Sequence, residues 1–213
     1  MRQLAQSLAI ALVVGVALLG LGAAFHPVLG GNDASAQLRL MAATSYWRLI
    51  HLVMLGGSAL IIAGVWVRGT IGARDVPPLV GALVLLSIGY ALNALNIAYM
   101  AGAGTHMASL FTAGQVEMAA VYDATHPIGQ MSARFGNLLV AIAALLIGWV
   151  EWRDRRSRWA PPLASFAAVV GLIGVLAFDE SSPFALAAVA TLAPWQLLTA
   201  ARGFRSPEIA AKE

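Results

Sequence analysis

The residues of this chain best suited to chemistry are its four histidines, His26, His51, His106 and His126. Imidazole titrates near neutrality and is the commonest metal-binding side chain. Asp123 precedes His126 by three residues. Imidazole and carboxylate donors together suit zinc, copper or iron. His26, His51, His106, Asp123 and His126 therefore form a candidate metal set, with Glu117 at its margin. A haem held by two histidines is a second use of the same residues. No HxxxH or HExxH spacing places two ligands on one helix in advance, so only the fold can assemble such a site. Interfacial histidines with no ligand at all are the plain alternative.

A second set is polar without being ligand-rich. Arg48 and His51 are spaced i, i+3, as are Arg134 and Asn137, while Tyr90, Asn93 and Asn96 continue the same spacing over two turns. Each group falls in or beside an apolar run, where a polar side chain is costly unless it faces a bundle interior, a partner or water. Arg48, His51, Tyr90, Asn93, Asn96, Arg134 and Asn137 are thus expected to share one pocket. For the asparagines, hydrogen bonds between helices are an equally simple use. Catalytic signatures are missing: there is no cysteine, P-loop, GxSxG, GxGxxG or mid-membrane carboxylate pair. No residue is assigned a catalytic role, and the chain reads as a binding protein rather than an enzyme.

The elements that carry these residues are set by composition. Of the 213 residues 60% are hydrophobic and 11% charged, against about 45–50% and about 25% in soluble domains. Runs of roughly 18–25 apolar residues cross about 30 Å of hydrocarbon as helix. Six are expected, close to Leu8–Phe25, Leu49–Val67, Leu79–Gly102, Phe135–Val150, Leu163–Phe178 and Phe184–Ala200. The fold class is all-α, a polytopic membrane helix bundle forming one domain over 1–213. Its outer loops cover about 26–48, 103–134 and 179–183. The second is too long for a bare connection, and Met107, Phe111, Met118 and Val121 predict a short interfacial helix within it, acting as a lid. Gly56, Gly57, Gly64, Gly171 and Gly174 suit close helix packing. Pro194 is expected to kink the sixth span.

Charge gives the orientation, since Lys and Arg near spans stay on the cytoplasmic side. Of thirteen basic residues, ten fall on one side: Arg2, Arg68, Arg74, Arg153, Arg155, Arg156, Arg158, Arg202, Arg205 and Lys212. Arg39, Arg48 and Arg134 fall on the other. With five acids on each side, the inner face carries +5 and the outer face −2, which accounts for the net +3. Both termini are placed in the cytoplasm of a bacterial-type inner membrane. The basic balance is explained by these flanks, so nucleic acid is not an expected partner. The bilayer is, along with a small ligand and either further copies of the chain or other membrane subunits. Arg2, the first apolar run and Ala34-Ser-Ala36 resemble a signal peptide, but the run is too long and the cleavage motif too distant. The first helix is expected to be retained.

Tyr46-Trp-Arg-Leu, Leu92-Asn-Ala-Leu-Asn96, His126-Pro-Ile-Gly and Leu146-Ile-Gly-Trp-Val together resemble small six-helix bacterial inner-membrane proteins of unknown function. The resemblance implies the six-helix topology and nothing about activity. From the residues themselves, the expected function is an outward-facing, histidine-containing pocket that binds a small ligand or senses one. The alternative is a membrane redox subunit with histidine-ligated haem or copper.

Overall fold

The computed structural model describes residues 2–27, 33–70, 77–154, 157–178 and 187–205. Among them every regular element is helical: α1 (Arg2–Ala24), α2 (Ala34–Ala43), α3 (Trp47–Gly64), the short α4 (Val67–Thr70), α5 (Pro77–Tyr99), α6 (Thr105–Thr112), α7 (Met118–Asp154), α8 (Ala160–Ala177) and α9 (Ala187–Arg205). A π-helical turn, Met100–Gly104, joins α5 to α6. Arg74, Arg155, Arg156, Lys212 and the 179–183 loop lie outside the described residues.

Among the described residues five stretches are long and apolar enough to cross a membrane, Arg2–Ala24, Trp47–Thr70, Pro77–Thr112, Met118–Asp154 and Ala160–Ala177. The 19-residue α9 has a similar length, but Gln196, Arg202 and Arg205 lower its hydropathy. Neighbours in sequence are neighbours in space, as short connections require. α1 packs on α3, α3 on α5, α5 on α7, α7 on α8 and α8 on α9, and α9 returns to α1.

Small residues set how closely these helices approach. A Cβ added to Gly64 would lie 2.5 Å from the Leu12 backbone nitrogen, and one on Gly57 2.7 Å from that of Leu19. Across α5 and α7, a Cβ on Gly136 would lie 2.6 Å from the Gly89 carbonyl oxygen. On α8, a Cβ on Gly171 would lie 2.5 Å from Ala188 Cβ on α9. Gly56 has open space around it, so only one glycine of that pair serves packing.

The segment 103–134 differs from its expected form. It is not a loop carrying a separate surface helix: α6 continues α5 through the π turn, and α7 begins at Met118. Pro127 lies inside α7. The ring removes one backbone bond, to the Asp123 carbonyl, and Asp123 is exposed, so water can take that bond's place. Pro194 likewise sits within α9 without ending it. At 37 residues, α7 is about 55 Å long, well beyond about 30 Å of hydrocarbon. Its first turns and α6 therefore rise past the bundle, and α2 folds onto them. This cap has its own core of Leu38, Met41, Trp47, Met100, Met107, Ala108 and Tyr122, distinct from the main core.

Replacing Gly57 or Gly64 by Val should force α1 off α3, and each should cost at least the roughly 1–3 kcal/mol typical of overpacking. Gly56→Val should be close to neutral. Thermal unfolding of the three variants in detergent checks this, and equal losses at all three positions would refute the α1–α3 contact.

Candidate functional site

The cap begins at Asp33, whose side chain accepts a hydrogen bond from the Ser35 amide at 3.0 Å and so caps α2. Leu38 and Met41, one turn apart, point into the cap core. α2 is tied to α7 where Tyr122 Oη donates to Gln37 Oε1 at 2.9 Å. The chain then turns through Thr44 into α3, which places Trp47, fully buried, beneath α2. A π turn breaks the regular bonding of a helix and often marks a functional position. Here the Met100 carbonyl accepts from Thr105 Oγ1 at 3.0 Å and from Trp47 Nε1 at 3.4 Å.

Trp47 packs against two histidines. Its ring centroid lies 5.0 Å from that of His26 and 4.5 Å from that of His51. The two imidazoles meet edge to face, with Nε2 to Nε2 at 3.2 Å. His51 Nδ1 donates to the Trp47 carbonyl at 2.8 Å. His51 is buried whereas His26, just past the end of α1, is half-buried. Burial pulls the His26 imidazole below the usual histidine range, against a backbone hydrogen bond at Pro27 that raises it. The arrangement can hold a small cation or a hydrogen-bonding ligand at the mouth of the bundle.

His126 belongs to a different group. It is stacked on Tyr122 at 4.5 Å and on Tyr99 at 6.1 Å, and Tyr99 Oη bonds Thr125 Oγ1 at 2.7 Å. His106 and Asp123 are exposed. The five candidate metal ligands therefore do not gather at one point, and among the described residues no group of three His, Cys, Asp or Glu could hold a metal together. His106 sits on α6, across a turn from Asp123 and His126 on α7, so the three do not converge although Asp123 and His126 are one turn apart.

The seven-residue pocket also divides. Arg48 is exposed although His51, one turn on, is buried. Asn93 and Asn137 pair with each other instead: Asn137 Nδ2 donates to Asn93 Oδ1 at 2.9 Å, beside the Gly89–Gly136 contact. Tyr90 Oη accepts from Gln196 Nε2 at 2.8 Å, and Arg134 Nη2 donates to the Val175 carbonyl at the end of α8. Asn96 packs against Gly129. These residues clasp α5, α7, α8 and α9 together, the plainer of the two readings of the asparagines. The sequence pointed to the cap through His26 and His51 but missed Trp47, whose spacing of four before His51 was the available signal.

A charged cluster at the opposite end was missed altogether. Arg68 of α4 is fully buried; its Nε lies 2.6 Å from Glu151 Oε1 and its Nη2 2.7 Å from Asp154 Oδ2, both on α7. Arg202 of α9 reaches Glu151 Oε2 at 3.1 Å. Sequence reading treats all four as flanks of spans. Glu151 and Asp154 at i, i+3, directly after an apolar run, are the sign that they share one inward face. Removing one partner of a buried pair leaves a charge unpaired and typically costs about 3–5 kcal/mol, while replacing both by apolar groups is often neutral. Glu151→Met, which leaves buried Arg68 with Asp154 and takes the carboxylate from Arg202, should destabilise the protein, and Arg68→Met/Glu151→Met, whose remaining Asp154 and Arg202 are partly exposed, should recover part of the loss. A double variant no more stable than Glu151→Met, measured by chemical unfolding in micelles, would remove this account.

No family model, curated protein or solved structure matches the chain. The reading of function therefore rests on the geometry above.

Proposed function

We propose that this chain is a six-helix protein of a bacterial-type inner membrane, with both termini cytoplasmic, whose outer cap binds a small ligand at His26, Trp47 and His51. The reading makes it a sensor or accessory subunit rather than an enzyme. The observation that carries it is the meeting of His26 and His51 beside Trp47: a half-buried imidazole just past the end of α1 and a buried one on α3 are brought together at one end of the bundle. The six-span topology is supported by α9, which packs on both α1 and α8. The basic asymmetry of the loops supports the orientation, and the charged cluster of Arg68, Glu151 and Arg202 lies at the end read as cytoplasmic. The α6–α7 turn and α2 then sit at the outer interface.

Of the two redox cofactors considered, haem is the poorer fit. A porphyrin between His26 and His51 needs the imidazoles to part and the macrocycle to clear on all sides, and Trp47 is packed against both rings. His126 lies between two tyrosines and away from that pair.

The absence of cysteine makes the topology simple to check. Single cysteines at Phe25 and Val116, both exposed, should react with a membrane-impermeant maleimide added to intact spheroplasts. Cysteines at Arg158 and Arg205 should react only after lysis. Labelling of the Arg158 position in intact spheroplasts would overturn the orientation.

A further inference from the structure

A hydrogen bond of His51 fixes which of its ring nitrogens carries a proton. A carbonyl only accepts, so the 2.8 Å bond to the Trp47 oxygen puts the His51 ring proton on Nδ1 and leaves its Nε2 as a bare lone pair. The His26 Nε2 faces that lone pair at 3.2 Å, so a single proton or a single cation is shared between the two nitrogens.

The separation also matches a particular cation. Two metal–nitrogen bonds of about 2.0–2.1 Å at a tetrahedral angle span about 3.3 Å. An Nδ1–H donated to a backbone carbonyl is the outer-shell arrangement that orients metal-bound histidine and fixes its tautomer. We propose that Nε2 of His26 and Nε2 of His51 are the two protein ligands of a transition-metal site that takes zinc or copper. Imidazole suits both ions. Among the described residues no third His, Cys, Asp or Glu joins the pair, so the remaining positions are filled by water or by an incoming ligand. His26 is half-buried, which leaves those positions open to solvent while Trp47 closes the other side. An open two-imidazole site exchanges its ion, as a sensor or an acquisition step requires and a structural site does not. This inference rests on the cap being the ligand-binding end.

The test is metal titration of the full chain in nanodiscs, stripped by chelator and then titrated with Zn2+ and, separately, Cu2+ against a chromophoric competitor. One equivalent should bind. His26→Gln and His51→Gln should each weaken binding by on the order of 100-fold, the upper range seen when even outer-shell partners are lost. His106→Gln, on the exposed face of α6, should not change it. X-ray absorption of the zinc-loaded wild type should show two imidazole nitrogens at about 2.0 Å, and this holds whether or not the variants fold. Absence of stoichiometric metal at micromolar concentrations means that the two Nε2 atoms share only a proton, and the proposal fails. Unchanged affinity in the double variant His26→Gln/His51→Gln overturns it equally. In right-side-out vesicles, an impermeant chelator should strip the ion from outside; metal lost only after permeabilisation would overturn the orientation while leaving the metal site in place.

Discussion

Within hydrocarbon no water repays a polar group that has lost its partner, so pairing such groups inside the bundle is strongly favoured. That constraint organises the whole length of the molecule. Near the middle, Asn137 and Asn93 bond each other and Gln196 bonds Tyr90. At one end Arg68 and Glu151 are buried together. At the other the polar groups gather beneath the cap. Each of these contacts joins separate elements, and the Asn93–Asn137 pair lies where Gly89 and Gly136 let two backbones come close. Apolar side chains facing lipid gain little from choosing one neighbour over another. Polar pairing and small-residue contact together select the register.

The cap follows from a mismatch of lengths. α7 is too long for the bilayer core, so its first turns must stand in the interface, and the exposed apolar face they carry is covered by α2. The π turn is where the α5–α6 rod adjusts to this change of surroundings, and the Met100 carbonyl within it accepts the Trp47 indole. Trp47 consequently has a fixed place. Its carbonyl orients His51 and its ring packs on His26, so the position of the histidine pair depends on the joint between rod and cap.

Composition and run length were enough to make the chain an all-helical membrane protein, since no soluble fold can solvate such an apolar surface. Gly57, Gly64 and Gly171 were readable as packing residues for the same reason: a small residue in an apolar run has few other uses. The histidines were also readable as the chemical candidates, because so few titratable groups occur near the spans. What could not be read was which of them meet. His106, Asp123 and His126 looked like neighbours, yet a turn between α6 and α7 separates His106 from the other two, and His126 ends between two tyrosines. Likewise Arg68 and Glu151, 83 residues apart, look like ordinary flanking charges until α4 and α7 are packed together. Sequence determined the solvent and the elements, because hydrophobicity and periodicity act locally. Tertiary structure alone decided the partners, because a contact between the end of α1 and the start of α3 depends on helix rotation and depth, and neither is encoded in the spacing of either segment.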